Sequence, residues 1–398
     1  MQKILINYLG PIKKLEMEIR DFNLLVGEQA TGKSTIAKSI YFFRSIKATL
    51  QDYFCQLYNT SLYNGHAVDN GFNKVLKKEL KTVFVSLFGY SWDLDKHLCL
   101  QYEYTDEIWI RVKLHGKPFR KYINVQYSYK LTEELGKMET DVLNLYSQKG
   151  QTMHLSLADA SRERLRNYGY LKKRLNRIFN DDKDTYYIPA GRSLLTLLAN
   201  NRSLIESDNL DLITRHYMQI IDNIRSVFDD GIRNAHKKYL DGERRFDVNK
   251  IADMLIADLK GDYQYTSGRE YIIIQDEERN KRKIPINFVS SGQQEVLWLL
   301  NQLYVLMLKK ENAFVIIEEP EAHLYPKLQH KVVEFIAYFT TINNSAVLIM
   351  THSPYILKAV NALRDMDKIT ALKIDKDKTI ISLMNNELKD ISLELIEK

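Results

Sequence analysis

The chain has 398 residues, 45% of them apolar and 27% charged, which supports a core large enough for more than one lobe and excludes disordered and fibrous classes. Its 57 Lys+Arg against 51 Asp+Glu leave a net charge of +6, a mild bias toward an anionic partner and too little to define one. The two cysteines, Cys55 and Cys99, have no metal-ligand spacing and suit a reducing cytosol better than a disulfide framework.

Residues 1–26 alternate apolar and polar about the turn Leu9-Gly10-Pro11, which predicts a hairpin leading into the strand Phe22 to Val26. Met1-Gln2-Lys3-Ile4 enters that pattern directly, so no signal peptide is expected. The strand runs into Gly27-Glu28-Gln29-Ala30-Thr31-Gly32-Lys33-Ser34-Thr35, a complete P-loop, and a helix is predicted from Ser34 to about residue 58. Gly27 and Gly32 let the backbone curl so that N–H groups and the helix N-terminus face phosphates. Lys33 is expected at the β- and γ-phosphates and the Ser34 hydroxyl at Mg²⁺. With a strand before it and a helix after it, the motif predicts nucleoside triphosphate binding.

Residues 82–130 are rich in aromatic and β-branched side chains, as in Thr82-Val83-Phe84-Val85 and Ile108 to Val112, and predict antiparallel strands. From about 131 to 180 the pattern is helical. Arg162 to Arg177 holds seven Lys or Arg and one acid, Glu163. On a helix, Arg162, Arg166, Lys173 and Arg177 form an electropositive stripe with Tyr168 and Tyr170 within it. Such a stripe can track a phosphate backbone, and it equally suits a solvated face or a protein-binding surface.

Tyr186 to Ala190 reads as a buried strand ending in the turn Gly191-Arg192. Residues 193–260 read as helical again, with Leu194, Leu195, Leu197 and Leu198 followed by an amphipathic run from Leu210 to Leu240. Arg233, Lys237, Lys238, Arg244 and Arg245 form a second basic cluster with the same alternatives. A hairpin is predicted from Tyr271 to Ile274 and Lys283 to Phe288, turning through Glu277 to Arg282.

Ser290-Ser291-Gly292-Gln293-Gln294-Glu295 opens a helix that continues through Trp298 and Leu303. A Ser-Gly pair there can donate to an anion, although it is also an ordinary cap. The longest apolar stretch, Val296 to Leu308, is interrupted by Asn301 and Gln302 and is too short to cross a bilayer, so no membrane is expected among the partners. Ala313 to Ile317 is an unbroken apolar strand suited to the centre of a parallel sheet, and it ends in Glu318 and Glu319. The first acid is assigned to Mg²⁺ through water and the second to accepting a proton from attacking water. Ala346 to Met350 is a second buried strand, and His352 at its end can hydrogen-bond a γ-phosphate.

Together these pieces resemble the ATP-binding-cassette ATPases, in the branch that holds the SMC, RecF and OLD-like proteins. The resemblance covers residues 1–40 and 263–360. Asn7 to Lys13 looks like the family's opening strand and turn, and Ser290 to Gln294 like its signature motif. Glu318-Glu319-Pro320-Glu321-Ala322-His323-Leu324-Tyr325-Pro326 resembles the Walker B and D-loop run, and Thr351-His352-Ser353-Pro354 the switch-histidine motif. Three departures stand out: Glu318 replaces the usual aspartate, Gln293 replaces the second signature glycine, and the Q-loop glutamine has no clear counterpart. Tyr187 to Arg192 is similar to a segment of RecF/OLD-like ATPases, which makes Arg192 a phosphate candidate.

The resemblance implies an α/β P-loop head, a mixed sheet with flanking helices and an antiparallel β subdomain. Residues 1–60 and 263–398 are expected to be its two halves, around an inserted β and helical lobe at 61–262. It also implies a Mg²⁺-dependent ATPase whose two copies sandwich ATP, with Ser291, Gly292 and Gln293 of one acting on nucleotide held by the other. Stand-alone ATPases of this branch resemble ATPase subunits of bacterial anti-phage systems of the Septu kind. That implies a cytoplasmic homodimer that senses or processes DNA for a separate effector, a nuclease being one candidate. A RecF-like repair ATPase and a slowly hydrolysing clamp on a toxic effector are the alternatives. Asp375 and Asp377 are expected to lie in a hairpin turn and not in a nuclease metal site.

Overall fold

A computed structural model describes residues 1–64, 71–89, 97–115, 122–149, 157–195, 210–239, 247–275, 280–363, 369–374 and 380–383. Asp375, Asp377, Arg244, Arg245, Leu197 and Leu198 lie outside the described residues, as does the start of the turn expected at Glu277. The chain divides into two compact units, Met1–Ile19 with Thr35–Asp182, and Arg20–Ser34 with Lys183–Lys398.

The first unit opens with the predicted hairpin, β1 (Gln2–Leu9) against β2 (Ile12–Ile19). The next strand, β3 (Phe22–Gly27), carries the P-loop and belongs to the second unit's sheet. Helix α1 (Lys33–Asn64) follows, then α2 (Phe72–Phe88). Strands β4 (Cys99–Glu103), β5 (Trp109–His115) and β6 (Tyr122–Tyr127) complete an antiparallel sheet in the order β2-β1-β4-β5-β6. Helices α3 (Tyr129–Lys149) and α4 (Leu157–Ile178) close the unit.

The expectation of a strand at Thr82 to Val85 is corrected, because these residues lie in α2. Phe72, Leu76, Leu80, Phe84 and Leu87 are all buried, and their spacing of three or four is the period of a helix face. That period outweighs the local β-propensity of Thr, Val and Phe. Arg44 on α1 is buried against Asp181 at 2.7 Å and donates to Gln2 Oε1, while Lys47 donates to the Asp181 carbonyl.

The second unit is built on a six-stranded sheet in the order β14-β13-β3-β12-β11-β7. Its strands β7 (Asp184–Ile188), β11 (Ala313–Glu318), β12 (Ala346–Thr351), β3 and β13 (Ile369–Ile374) are parallel, and β14 (Ile380–Leu383) adds antiparallel at one edge. A largely parallel sheet of this kind is covered on both faces, which explains why β11 and β12 are apolar up to their last residues. Helices α5 (Leu212–Arg225), α6 (Val248–Leu259), α7 (Ser291–Lys309), α8 (Pro326–Ile342) and α9 (Pro354–Asn361) belong to this unit. The amphipathic run from Leu210 is helical only to Arg225 and then breaks into short 3₁₀ turns. Strands β8 (Asp262–Thr266), β9 (Arg269–Gln275) and β10 (Lys281–Pro285) form a separate antiparallel sheet, so the predicted hairpin gains a third strand.

Candidate active site

Parallel register brings the distant motifs to one edge. Val26 on β3 pairs with Thr351 on β12, and Met350 pairs with Glu318 on β11. Gly27, His352 and Glu319 therefore leave the sheet together at the carboxyl ends of adjacent strands, the place where open α/β sheets hold ligands. Gly27 sits at φ 156°, and a Cβ there would lie 2.4 Å from the Ile374 carbonyl of β13, so no larger residue fits without moving a strand. Beyond it the loop is exposed at Glu28, Gln29 and Ala30 and buried at Thr31 and Gly32. The Thr31 hydroxyl donates to the Glu28 carbonyl at 2.9 Å. Lys33, the first residue of α1, folds its ammonium back onto the Gly27 and Glu28 carbonyls, each at 2.6 Å. Ser34 is exposed one position on, and Thr35 begins the part of α1 assigned to the first unit.

Burial lowers the pKa of Lys33, and the negative charges of Glu319, Glu321 and Glu28, in that order, work against the shift. Of the acids after β11, Glu319 and Glu321 are the ones whose charge acts on Lys33. Glu318 is turned elsewhere: its Oε1 accepts from the Tyr187 hydroxyl at 2.7 Å and its Oε2 from the Ala190 N–H at 3.2 Å.

Glu319 holds a left-handed backbone at φ 41°, which costs about 1–2 kcal/mol for a residue with a Cβ. Its N–H is fixed to the Met350 carbonyl at 2.9 Å. Glu321 is buried, and its Oε1 accepts from the Thr351 hydroxyl at 2.6 Å and the His352 N–H at 3.0 Å, while its Oε2 has no hydrogen-bond partner among the described residues. His352 Nδ1 lies 3.6 Å from Glu319 and 3.5 Å from Glu321. Glu321 was present in the sequence as the third acid of its run, and a carboxylate with one buried oxygen left over is its structural signal.

Ser290 caps α7 in a reciprocal capping box: its hydroxyl accepts from the Gln293 N–H, and Gln293 Oε1 accepts from the Ser290 N–H. The Gln293 amide also donates to the Leu259 carbonyl at 2.8 Å. Gln293, expected at nucleotide, here shapes the helix start. A Cβ on Gly292 would lie 2.7 Å from the His323 carbonyl, so this glycine lets the start of α7 pack against the segment after Glu321. Arg192, expected at phosphate, is corrected. It is fully buried, and its guanidinium donates to the carbonyls of Pro189, Glu295, Glu318 and Glu319. A donor set occupied by backbone carbonyls in the interior holds the fold and does not face a phosphate.

The AAA ATPase domain profile AAA_15 matches residues 1–357, and the chain belongs to that family. It is accordingly an ATP hydrolase. No curated protein sequence matches the chain. Similar solved structures include an SMC head bound to the C-terminal winged-helix domain of ScpA, at 12% identity, TM-score 0.42 and 98% coverage of both chains. The SMC head domain of Thermotoga maritima is 10% identical, with TM-score 0.40 over 96% of this chain and 98% of that one. An SMC head with an extended coiled coil, bound to the C-terminal domain of ScpA from Pyrococcus furiosus, is 14% identical with TM-score 0.41 and full coverage of both chains. Among the described residues no helix is long and apolar enough to cross a membrane.

The two basic segments have different surroundings. In the second unit, Arg233 pairs with Asp253 at 2.7 Å and Lys238 with Asp229 at 2.8 Å, which engages two of that cluster's three described cations. In the first unit, α4 exposes Arg166, Tyr170, Lys173 and Arg177 along one face. Arg174 is tied to Asp141 at 2.6 Å. Lys130, Tyr170, Lys173, Arg174 and Arg177 line a cavity of about 580 Å³ that also contains Glu107 and Glu134.

Proposed function

We propose that this ATPase is an ABC-type head that closes as a homodimer around ATP and couples turnover to DNA on behalf of a separate effector. The observation that carries the reading is the convergence of Lys33, Glu319, Glu321 and His352 at one end of the parallel sheet. ATP fits the P-loop, whose close-approach glycine and following helix N-terminus suit phosphate oxygens. Mg²⁺ would be held by the exposed Ser34 hydroxyl and, through water, by Glu318, whose two oxygens accept from Tyr187 and Ala190 and keep lone pairs for a metal-bound water. When bound it supplies charge neutralisation at the β- and γ-phosphates.

In this reading Lys33 leaves the Gly27 and Glu28 carbonyls for the phosphates. Glu319 takes a proton from water as the oxygen bonds to the γ-phosphorus and the bond to the bridging oxygen breaks, releasing ADP and phosphate. His352 hydrogen-bonds the γ-phosphate, and Ser291 and Gly292 reach nucleotide on the second copy. Phe288, just before the signature segment, is 75% exposed, and Tyr325, at the end of the Glu318–Pro326 run, is 78% exposed. Two large aromatics left in solvent beside these motifs fit a face that a second copy covers. The α4 face and its cavity are the proposed DNA contact, since Lys173 and Arg177 have no ion-pair partner among the described residues. An anti-phage role, with the effector as a nuclease, rests on the motif resemblance.

Mixing tests the shared site. Lys33→Ala and Ser291→Arg heads are each expected to be inactive alone and to recover turnover when combined, because one of the two sites in a mixed dimer is intact. A mixture as dead as its parts removes the trans arrangement. Steady-state turnover with and without double-stranded DNA tests the trigger: stimulation supports DNA, and an unchanged basal rate moves the trigger to a protein.

A further inference from the structure

We propose that Arg192 is a positioning residue that transmits the placement of the signature helix to the general base. The inference rests on the reading of Glu319 as base and of Ser291 and Gly292 as the segment that meets nucleotide. Arg192 bonds three elements at once, all within the second unit. Toward α7, its Nε donates to the Glu295 carbonyl at 2.8 Å and lies 3.3 Å from Glu295 Oε2, while its own N–H donates to Oε2 at 3.0 Å. Toward the end of β11, one terminal nitrogen donates to the Glu318 carbonyl at 2.7 Å and the other to the Glu319 carbonyl at 2.9 Å. Toward the end of β7, it donates to the Pro189 carbonyl at 3.0 Å. Glu295 is itself buried and also accepts from the Ser193 N–H and hydroxyl at 3.0 and 2.8 Å.

The chemistry of the fork explains why this arrangement does more than fill space. A guanidinium is planar, so two carbonyls gripped by its two ends are held at one mutual orientation. Those carbonyls belong to the two peptides on either side of the Glu319 Cα. The Glu319 N–H is pinned to Met350 on the far side, and the residue sits at φ 41°, a conformation kept only where its surroundings over-determine it. The aim of the Glu319 carboxylate is therefore set by two anchors, and one of them is Arg192. The other end of Arg192 holds Glu295, one helical turn beyond Ser291 on the same face of α7. A shift of the start of α7 as it meets nucleotide would move Glu295, then Arg192, then the peptide that carries the base. A misplacement of about 1 Å is enough to cost a catalytic group on the order of 10²-fold.

Arg192→Lys keeps the charge and removes the fork. The expected result in full-length protein is a kcat lower by about 10- to 100-fold, with the KM for ATP and the affinity for a fluorescent ATP analogue close to the parent and the melting temperature lowered, because buried carbonyls lose a donor. In the Glu319→Gln background the same substitution is expected to add no further loss, because both act on one group. Glu295→Gln, which keeps the shape of the acceptor and removes its charge, is expected to reproduce the kcat defect.

Parental kcat in Arg192→Lys overturns the proposal, as does a rate loss matched by an equal loss of ATP affinity in protein that is fully folded at the assay temperature. Failure of both variants to fold does the same, since the network is then structural only. Multiplicative losses in the double variant also overturn it. Glu319→Gln alone separates the two levels: parental turnover there sinks the assignment of the base, whereas an inactive Glu319→Gln beside a fully active Arg192→Lys sinks only the relay.

Discussion

At the carboxyl ends of β3, β11 and β12, nearly every charged group is held by another part of the same unit. Along α4, Arg166, Lys173 and Arg177 stand in solvent. The first region fixes Glu318 with Tyr187 and Ala190, Glu321 with Thr351 and His352, and the Glu319 peptide with Met350 and Arg192. Such a site is preorganised, and chemistry done there draws on fixed dipoles in a partly dry environment. On the second, Arg166, Lys173 and Arg177 have no ion pair among the described residues, which suits a long anion that can be met in many registers. The contrast teaches that the same residue types serve different ends according to burial. Arg192 is a clamp because it is fully buried, and Arg177 is available because it is not.

The largest expected effect tests the rigid side. Glu319→Gln should lower turnover by roughly 10²- to 10⁴-fold while nucleotide still binds and traps the dimer, measured by steady-state phosphate release and by sedimentation with ATP. Parental turnover removes Glu319 as base. Next comes a comparison of the two cores. Ile316→Ala on β11 and Ile110→Ala on β5 each truncate a fully buried side chain and should cost about 2–5 kcal/mol in thermal or denaturant unfolding. Only Ile316→Ala, two residues from Glu318, is expected also to lower kcat; equal effects on kcat would erase the distinction between the sheets.

On the open side, Lys173→Glu with Arg177→Glu should weaken DNA binding and flatten its dependence on log salt by about two charges, with ATP affinity unchanged. A salt slope like the parent's removes α4 as the contact. The same substitution at Arg233 should leave DNA binding alone and alter stability by under about 1 kcal/mol, since an exposed ion pair already occupies it.

Proton linkage provides the subtlest check. Burial holds the Lys33 pKa below its ordinary 10.5, so in the pH window just under that value the unfolded chain binds more protons and stability rises with pH. Phosphate at Lys33 favours the ammonium, so ATP binding in that window should take up protons. Calorimetry in buffers of different ionisation enthalpy reads the uptake, and Lys33→Met should abolish it.

Much of this was legible in the chain alone. The P-loop carries its own instructions, because a strand, a glycine turn and a helix start are set by neighbours within nine residues. The apolar runs at Ala313 and Ala346 declared a parallel sheet for the same local reason. Thr82 to Val85 was misread because four residues show propensity, whereas the helix is declared only by the spacing from Phe72 to Leu87.

The structural roles of Arg192, Glu295 and Gln293 could not be assigned from sequence, since beyond the local bonds to Pro189 and Ser290 the partners cited for them lie 34 to 127 residues away. The sequence by itself determined that the chain holds a nucleoside triphosphate and which residues line the loop, since backbone geometry over short spans follows from residue type. Only the tertiary structure decided that the charges of Glu319 and Glu321 reach Lys33, that Glu318 is turned to Tyr187, and that Arg192 is buried among carbonyls. The direction in which a side chain is aimed depends on strand register and burial, which arise between distant segments and are written in neither one.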